Sequence, residues 1–546
     1  MEANLAANFD AITEEVGDRE CIVFRDRRLT FRQVQDRVRR LANVLLDHGF
    51  EVRTEREHLQ GWESGQDHLG LYLHNGNEYL EGMLGAYAAR VAPFNVNYRY
   101  VAEELEYLLT DSGARGLLYH ECFAPLVAEV RTKLPKLDLL LQVADGSGHG
   151  LLEGALDYED ALAASSAAAP PVDPSPDDLY ILYTGGTTGM PKGVLWRQSD
   201  IWVAALGGRS FETGLEFGSL DEVLEAAKAD PVMGLPAPPF MHGAAHWMAF
   251  NSFNSGGTTV IPNVTTTFDA DDFWATVERE GVQSTIIVGD AFARPLVESL
   301  EKGSYDTSSM FLIVNGGAPM SPGLKARVLE LLPHAIVVDG LGSSETGTQA
   351  RQMNVAGGEP TTGDFALTPG ACVLSEDLDE VLHPGDERMG WLAQEGRVPL
   401  GYLGDEAKTA ETFPVVGGVR YSVPGDRAQL REDGTLVLHG RDSVTINSGG
   451  EKIFAEEVEL AISAHPDVYD VVVASRPSDR WGQEVVAVVR LKEGATEDQA
   501  ALLTEAEKHV ARYKLPKAVV FKEEIVRSPA GKADYRWAKQ VAAEES

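Results

Sequence analysis

The sequence has few cysteines, no excess of basic residues and no long apolar segment. Its 546 residues include three cysteines, Cys21, Cys122 and Cys372, which are widely separated and lack metal-ligand spacing. This usage argues against a disulfide framework and favours a reducing compartment. Forty-seven Lys and Arg against 84 Asp and Glu give a formal net charge of -37. We therefore expect no nucleic-acid partner and no docking on anionic lipid.

Long apolar stretches are also missing. No stretch approaches the ~18 consecutive apolar residues that a membrane-spanning helix requires. The first residues, Met1-Glu2-Ala3-Asn4, do not combine a basic region with an apolar run, so they do not resemble a signal peptide. We therefore expect a cytoplasmic protein without an integral membrane segment.

Alternating strand-like and helix-like segments indicate the fold of the central chain. A segment rich in Ala, Ser and Pro, residues 161–176, predicts a surface linker. The segments with strand character that follow it are 179–184, 284–289, 311–315 and 335–339, and those with helix character are 292–302 and 324–332. This alternation predicts mostly parallel sheets with helices on both faces.

The pattern changes near Gly440. The segments that follow predict a compact α+β unit, with helices at 456–463 and 498–513 and strands at 468–475, 484–491 and 518–523. A unit of roughly 100 residues is long enough to fold as a separate C-terminal domain.

A string rich in glycine and threonine follows the first of the predicted strands. Tyr183-Thr184-Gly185-Gly186-Thr187-Thr188-Gly189-Met190-Pro191-Lys192-Gly193 combines flexible backbone, hydroxyl donors and one lysine. Glycines let the backbone approach a phosphate closely, and consecutive N–H groups form an anion-binding nest. The spacing is not that of a Walker A loop, because no Gly-Lys-Ser/Thr closes it. The string therefore predicts a phosphate-binding loop of another kind.

This string resembles the phosphate loop of the adenylate-forming superfamily, which includes acyl-CoA synthetases, peptide-synthetase adenylation domains and firefly-type luciferases. Other signatures of that superfamily are matched in order along nearly the whole chain, at residues 340–347, 421–426, 440–443, 447–453 and 528–532. Segments 181–186, 194–197, 289–295 and 528–537 also resemble the actinobacterial FadD group, which acts on steroid side-chain acids.

The resemblance implies an α/β fold in two parts. We expect a large N-terminal adenylation domain, residues 1–441, with layered and mostly parallel sheets, helices and a β-barrel-like subdomain. We expect a small, mobile α+β lid domain at residues 442–546, with its hinge at 442–443. In the superfamily this second domain rotates between two half-reactions.

The resemblance also implies the site residues, which fall into four groups. The catalytic group is Thr187, Lys192, Glu345 and Lys532, with Glu345 also holding Mg²⁺ together with substrate phosphates. The nucleotide-binding group is Thr184, Gly185, Gly186, Thr188, Gly189, Gly316, Gly317, Asp339, Gly340, Leu341, Ser344, Asp426 and Arg441. The acyl and thiol tunnel group is His242, Gly243, Trp247 and Gly342. The hinge and coenzyme A group is Asp442, Ser443, Ser448, Gly449, Gly450 and Lys452.

The chemistry of these residue types fits ATP, Mg²⁺ and coenzyme A. The carboxylate of Asp426 offers two acceptor oxygens to the two ribose hydroxyls. Glu345 is a hard oxygen ligand suited to Mg²⁺. Arg441 offers a planar fork for ribose or phosphate oxygens. Lys532 lies in a Pro/Gly turn, from which one cation can reach the reacting carboxylate and phosphate.

Three departures from the superfamily pattern leave an alternative open. Leu341 replaces an aromatic residue that would stack on adenine, Gly185 replaces a serine, and Lys452 replaces an arginine. The main hypothesis is an acyl-CoA synthetase that activates a bulky hydrophobic acid, which is a steroid, terpenoid or fatty acid. The alternative is a CoA ligase that forms only the thioester, from an acyl-AMP supplied by a partner enzyme. The sequence does not identify the acid. It also leaves the oligomeric state open, and a homodimer is one possibility.

Overall fold

The computed structural model describes residues 1–184, 190–210, 213–358, 360–448, 451–478, 481–529 and 531–544. In this part of the chain, helices surround four sets of paired strands. The predicted site residues that lie outside the described residues are Gly185, Gly186, Thr187, Thr188, Gly189, Gly449 and Gly450, and the side chains of Ser443 and Lys452 lie outside them too.

A parallel sheet forms the region around residues 68–157. Its strands lie in the spatial order Ala92–Asn95, His68–Tyr72, Gly116–His120, Leu139–Val143 and Leu156–Asp157. The three middle strands are apolar runs buried along their whole length, which is typical of parallel strands covered on both faces. The helices of this region are Asn77–Ala88, Ala102–Asp111, Ala124–Arg131 and Tyr158–Ala164.

A larger sheet supplies the framework of the site. Its parallel half contains, in spatial order, Glu20–Phe24, Thr258–Ile261, Met233–Pro236, Ser284–Ile287, Leu312–Gly316 and Ile336–Ser343, with Arg27–Thr30 paired antiparallel at the edge. Helices Gly289–Lys302 and Pro322–Leu331 each follow a strand, so the predicted alternation of strand and helix is confirmed. Side chains of these strands and helices share one apolar core.

The other half of the large sheet is antiparallel. It continues from Ile336–Ser343 through Gly347–Val355, Asp364–Leu367, Leu436–Arg441, Asp426–Leu430, Gly390–Glu395, Ala371–Leu374 and Val381–Leu382. The short strands Val415–Val416 and Val419–Ser422 attach beside it. Within the described residues these pairings form an open path, so the barrel-like closure stays a prediction.

A small antiparallel sheet carries the two ends of the predicted phosphate loop. Strands Leu179–Thr184 and Lys192–Arg197 pair directly, and Gly401–Tyr402 adds to the second of them. Further α-helices are Leu5–Val16, Phe31–Asp47, Gln198–Ala205, Leu220–Lys228, Gly243–Asn254, Ala270–Glu280 and Glu406–Thr412, and short 3-10 turns lie at Arg56–His58, Glu121–Phe123 and Asp442–Val444. Among the described helices none is both long and apolar enough to cross a membrane.

The C-terminal residues form a sheet of their own. Its strands are Glu451–Ile453, Ile446–Ser448, Gly482–Leu491, Val468–Ser478 and Ala518–Phe521, and its helices are Ala455–Ser463, Gln499–Ala506 and Tyr535–Glu544. The strand Leu436–Arg441 pairs in the large sheet, whereas Ile446–Ser448 pairs in this one. The boundary at 441/442 stays a prediction, because sheet pairing alone does not define a folding unit.

One predicted helix is shorter than expected. The prediction covers residues 498–513, but the regular helix ends at Ala506 and a separate 3-10 turn, Arg512–Lys514, follows. Val510 and Leu515 both join the buried core of this unit. In a continuous helix of 3.6 residues per turn they would point to nearly opposite sides. The chain leaves the helix so that both side chains are buried.

Candidate active site

A β-hairpin holds the two ends of the predicted phosphate loop together. Thr184 and Lys192 lie opposite each other in the last register of the paired strands. The Lys192 ammonium forms an ion pair with the Asp405 carboxylate, which also accepts the N–H of Lys408. The lysine of the predicted phosphate loop is therefore held by a carboxylate that the sequence analysis did not identify.

Glycines meet at the carboxyl ends of two neighbouring parallel strands. Gly316 pairs with Gly340 across the ladder, and Gly317 follows with a φ of +84°. Ligands of open parallel sheets bind beside such strand ends. A Cβ at position 317 would lie 3.4 Å from Cε of Lys532. The structure thus brings these predicted nucleotide-binding glycines beside the predicted catalytic lysine.

The carboxylate of Asp339 is buried in a polar cluster. One oxygen accepts hydrogen bonds from the Lys325 ammonium at 2.6 Å and the Asn354 amide at 3.2 Å. The other oxygen accepts the Asn315 amide at 2.9 Å. The Lys325 side chain has 0% exposure. Because protein groups already satisfy this carboxylate, it supports the framework beneath the site, and any nucleotide contact at Asp339 falls to its backbone.

The turn after strand Ile336–Ser343 presents Glu345. Tyr402 donates its hydroxyl to Glu345 Oε1 at 3.0 Å, and Ser422 donates its hydroxyl to the Glu345 carbonyl at 2.6 Å. The carbonyl of Ser344 accepts the indole N–H of Trp196 at 2.8 Å. Backbone and side chain of Glu345 are therefore both held, while Tyr402 uses one of the two carboxylate oxygens.

Two other predicted residues shape this turn. A Cβ at Gly342 would lie 2.0 Å from the carbonyl oxygen of Gly347, so the close approach of the two strands requires glycine. The strand register shifts between Leu341 and Gly342, as it does at a β-bulge. Leu341 packs partly against the core of the antiparallel half. The close approach of the strands is thus sufficient to explain a glycine at position 342, and its place in an acyl tunnel stays a prediction.

Asp426 and Arg441 lie opposite each other in paired strands. Arg441 Nε donates to Asp426 Oδ1 at 3.2 Å. The negative charge of Asp426 raises the pKa of Arg441. The pair places carboxylate acceptors and guanidinium donors side by side, and both can form hydrogen bonds with hydroxyl groups.

Lys532 projects from the C-terminal unit into the same cleft. Ser528 closes its loop, because the Ser528 N–H donates to the Lys532 carbonyl at 2.8 Å. Part of the Lys532 side chain is exposed to solvent in the cleft. The surrounding protein atoms nevertheless remove much of the water around its ammonium group. Burial, and then the charge of Arg441, lowers its pKa to about 8, while the carboxylates of Glu345 and Asp426 oppose that shift. Four charged side chains therefore share one cleft.

His242 lies close to this lysine. Burial, followed by the positive charges of Lys532, His246 and Arg99, lowers the pKa of His242 to about 3. Its imidazole is therefore neutral near pH 7. Nε2 of His242 is buried and has no hydrogen-bond partner within the described ranges. The side chain is a neutral polar group at the edge of the cleft.

A buried chain of hydrogen bonds holds Trp247. Trp247 Nε1 donates to the Tyr180 hydroxyl at 2.8 Å, and that hydroxyl contacts Nε2 of His246. Nδ1 of His246 lies 2.7 Å from the carbonyl oxygen of Phe240. A Cβ at Gly243 would lie 3.1 Å from both Leu182 and Trp247. Gly243 and Trp247 thus pack together, and Tyr180 and His246, which hold Trp247, were not predicted. The role of these residues in a tunnel stays a prediction.

The hinge and coenzyme A residues connect the two sheets. Asp442 begins a 3-10 turn, and its N–H donates to the Gly425 carbonyl at 3.0 Å. Ser448 pairs with Glu451 and with Gly482 in the C-terminal sheet. Asp442 is thus tied to the large sheet and Ser448 to the C-terminal one. The roles of these residues stay predictions.

The sequence analysis missed the turn at residues 401–405. Tyr402 contacts Glu345 and Asp405 contacts Lys192, so one turn holds two of the predicted catalytic side chains. One signal could have drawn attention to it. Asp405 immediately precedes helix Glu406–Thr412 and caps it, a position that favours aspartate.

Comparison with known proteins identifies the family. The family model described as "AMP-binding enzyme" matches residues 9–397, and "AMP-binding enzyme C-terminal domain" matches residues 457–532. The chain belongs to the AMP-binding enzyme family. The resemblance to the adenylate-forming superfamily is confirmed.

Similar curated proteins are CoA ligases of actinobacteria. The medium-chain acyl-CoA ligase Mig of Mycobacterium avium is 57% identical, over 97% of each chain. A medium/long-chain-fatty-acid–CoA/3-oxocholest-4-en-26-oate–CoA ligase of Mycobacterium tuberculosis is 40% identical, over 98% of this chain and 96% of its own length. The 3-oxocholest-4-en-26-oate–CoA ligase of Rhodococcus rhodochrous is 39% identical, over 99% of this chain and 96% of its own.

Solved structures confirm the mixed α/β fold. The anthranilate CoA ligase AuaEII in complex with anthranoyl-AMP has a TM-score of 0.81 at 19% identity and covers 100% of this chain and 98% of its own. ATP-bound MatB from Rhodopseudomonas palustris has a TM-score of 0.81 at 23% identity and covers 100% of both chains. At such identities these likenesses speak for the fold alone.

Proposed function

We propose that the chain is an acyl-CoA synthetase that joins a bulky hydrophobic carboxylic acid to coenzyme A through an acyl-adenylate. The observation that carries this proposal is the meeting of Lys532, Arg441, Asp426 and Glu345 in one cleft. Such a cleft offers acceptors to ribose, a hard carboxylate to a metal ion, and cations to phosphate and carboxylate groups. The names of the curated relatives, all acid–CoA ligases, support the same activity.

In the first half-reaction, an oxygen of the substrate carboxylate attacks the α-phosphorus of ATP. A new P–O bond forms, the bond to the β-phosphate oxygen breaks, and pyrophosphate leaves. The acid is ionised near pH 7, so no general base is needed. Catalysis then depends on positioning and on neutralising negative charge. Lys532, with its pKa of about 8, is mostly protonated near pH 7 and supplies a cation at the reacting groups.

Glu345 is the residue that would hold Mg²⁺ with the phosphates. One or two carboxylates plus substrate phosphates are the usual ligands of this ion. Tyr402 fixes one oxygen of Glu345 at 3.0 Å, so the second oxygen can face a ligand in a fixed orientation. When bound, Mg²⁺ neutralises charge on the phosphate groups.

In the second half-reaction, the thiol of coenzyme A loses its proton to solvent, and the resulting thiolate attacks the acyl carbon. A C–S bond forms, the C–O bond to phosphate breaks, and AMP leaves. We place the domain boundary between residues 441 and 442 and the pivot at Asp442–Ser443, so that rotation withdraws Lys532 and brings the glycine loop near Gly450 to coenzyme A. His242, whose imidazole is neutral near pH 7 because its pKa is lowered to about 3, would line the path of acyl group and thiol.

The acid is proposed to be a medium- to long-chain fatty acid or a steroid side-chain acid. The names of the relatives specify these classes, and the most similar of those described, at 57% identity, is named for medium-chain acids. The thioester-only alternative, with acyl-AMP supplied by a partner enzyme, gains no support from those names. A lysine placed among Arg441, Glu345 and Asp426 also favours a chain that performs adenylation itself.

The test compares the two half-reactions in one protein. Purified protein receives coenzyme A with decanoate, palmitate or 3-oxocholest-4-en-26-oate and Mg-ATP, and in parallel with decanoyl-AMP, and acyl-CoA is measured by mass spectrometry. We expect product from both routes, with the preferred acid identified by its kcat/KM. Product from decanoyl-AMP alone would overturn the proposal in favour of the alternative.

A further inference from the structure

The loop that carries Lys532 rests on the start of a helix beside the large sheet. Gly531 has a φ of +74°, and a Cβ there would lie 2.9 Å from Cβ of Ala291 and 3.2 Å from the carbonyl oxygen of Val288. Glycine is therefore required both by the backbone conformation and by the close packing. Ala291 lies in the first turn of helix Gly289–Lys302.

A second contact joins the same helix to the C-terminal sheet. Cζ of Arg294 lies 4.8 Å from the ring centroid of Tyr469, and Cζ of Arg490 lies 4.2 Å from the same centroid. Tyr469 and Arg490 lie on the paired strands Val468–Ser478 and Gly482–Leu491. One aromatic ring thus contacts an arginine from its own sheet and another from the opposite side of the cleft.

The residue after Tyr469 connects this contact to the lysine loop. Asp470 Oδ1 accepts a hydrogen bond from Arg527 at 2.6 Å, and Arg527 donates to the carbonyl of Gly531 at 3.0 Å. The position of the strand that contacts Arg294 is therefore transmitted through two hydrogen bonds to the residue that precedes Lys532.

The start of the helix is itself held firmly. The Gly289 N–H donates to Asn315 Oδ1 at 2.7 Å, and Asn315 also donates to the buried Asp339. A Cβ at Gly289 would lie 2.7 Å from the carbonyl oxygen of Pro319. Asp290 accepts the Ser321 N–H at 2.7 Å. These contacts hold the first turn of the helix in place, so it offers a fixed surface to the loop that carries Lys532.

We propose that Ala291 and Arg294 form a docking surface that positions Lys532 for adenylation, with Tyr469 as its partner on the C-terminal unit. The inference rests on the proposed function, in which Lys532 acts in the first half-reaction and is withdrawn before the second. Loss of the surface lowers the rate of adenylation and leaves thioester formation intact. Segment 289–295, singled out in the sequence by resemblance alone, thereby gains a physical role as positioning residues.

The first test is Arg294→Ala. Adenylation is measured as decanoate-dependent ATP–pyrophosphate exchange, and thioester formation as decanoyl-CoA made from supplied decanoyl-AMP. We expect exchange to fall by about twofold to thirtyfold, the range that one cation–π contact supports, and the second rate to stay unchanged. Lys302→Ala, an exposed cation at the end of the same helix, is the matched control and leaves both rates unchanged.

A double-mutant cycle separates the contact from a general loss of folding. Tyr469→Phe keeps the ring and should keep the exchange rate, whereas Tyr469→Ala should lower it as Arg294→Ala does. Arg294→Ala added to Tyr469→Ala should then cost much less than Arg294→Ala alone, because the contact between the two residues is already lost and only the ion pair of Arg294 with Asp290, at 3.5 Å in the same helix, is still to be removed. Independent, multiplying losses, or equal losses in both half-reactions, would overturn the docking surface.

Ala291→Leu provides a second route to the same answer. The added side chain meets Gly531 in the arrangement seen here, so pyrophosphate exchange should fall further than in Arg294→Ala while thioester formation from decanoyl-AMP persists. Failure of the wild-type chain to make decanoyl-CoA from Mg-ATP would defeat the proposed function itself. An active wild type whose Ala291→Leu variant keeps its ratio of half-reaction rates would defeat only the docking surface.

Discussion

The nucleotide side of the cleft and the lysine loop are held by different kinds of structure. Gly316 and Gly340 lie in a ladder of parallel strands, and Asp426 and Arg441 lie in a ladder of antiparallel strands. Lys532 lies on a loop of the C-terminal unit, and that loop packs on the start of helix Gly289–Lys302 through Gly531 and Ala291. Beside it, Arg294 of the same helix contacts Tyr469.

Because of this difference, the groups on the nucleotide side keep fixed positions, whereas the lysine loop can move away from the cleft. Groups on paired strands keep their spacing as long as the sheet is folded, because every backbone group there is bonded to its neighbour. A loop held by a few side-chain contacts can leave at a cost of only a few kcal/mol. In the proposed reaction, nucleotide recognition is needed in both half-reactions and the lysine in one, so the two construction types match the two demands.

The largest effect is expected from a substitution in the sheet framework on the nucleotide side of the cleft. Lys325→Ala leaves the buried carboxylate of Asp339 without its cation, since the Lys325 side chain has 0% exposure. Removing one partner of a buried ion pair typically costs about 3–5 kcal/mol. We expect the free energy of unfolding in urea to fall by that amount, and both half-reactions to fall together. A variant as stable as Lys302→Ala would show that this cluster does not support the framework.

The next largest effect is expected from a substitution in the loop that carries Lys532. Lys532→Ala deletes the cation proposed for the α-phosphate, and loss of one such charge-stabilising group typically costs about 10²–10³-fold in rate. We expect pyrophosphate exchange to fall by that factor while thioester formation from supplied acyl-AMP is preserved. Equal loss in both assays would contradict the role of this lysine and remove the contrast between the two regions.

Much of this contrast is already present in the sequence. Apolar runs and amphipathic segments predicted strands at 284–289, 311–315 and 335–339, where the structure has Ser284–Ile287, Leu312–Gly316 and the longer Ile336–Ser343, and they predicted the helices that follow the first two. The resemblance to the adenylate-forming superfamily named the residues that share the cleft, because each of its motifs occupies one short segment of the chain. The placement of Lys532 beside Gly317 follows once those motifs are assigned to one fold.

What the sequence could not indicate are contacts between distant segments. Lys192 and Asp405 are 213 positions apart, and neither belongs to a pattern that names the other. Asp339 was predicted to bind nucleotide from the resemblance to the superfamily, yet its carboxylate is satisfied by Lys325, Asn315 and Asn354 from three separate elements. Only the packed fold decides which carboxylates face a ligand and which are consumed internally.

A smaller effect tests how Glu345 is held. Tyr402→Phe keeps the ring and removes the hydroxyl that donates to Glu345 Oε1 at 3.0 Å. Groups that orient a metal-binding carboxylate typically contribute 10–100-fold to metal affinity or activity. We expect the Mg²⁺ concentration for half-maximal exchange to rise about tenfold, the lower end of that range.

The matched control for this substitution lies far from the cleft. Tyr158 donates its hydroxyl to the buried Glu81 at 2.8 Å, so Tyr158→Phe also breaks a tyrosine–glutamate hydrogen bond. It should lower stability without changing the Mg²⁺ requirement. An unchanged Mg²⁺ requirement in Tyr402→Phe would mean that the turn at 401–405 supports the fold and not the charge of Glu345.

The smallest effect is in the pH dependence of the first half-reaction. The pKa of Lys532 is lowered to about 8 by burial and by Arg441, so the free enzyme loses this cation as the pH rises through that value. The profile of kcat/KM reports ionisations of the free enzyme, and we therefore expect kcat/KM for ATP to be about halved near pH 8 and to fall tenfold per unit above it. In Lys532→Arg the charge persists, so the rate that remains should lose this alkaline limb. A wild-type profile that stays flat to pH 9 would mean that Lys532 has a more polar surrounding in solution than the cleft provides here. The packing of its loop on helix Gly289–Lys302 would then be contradicted first.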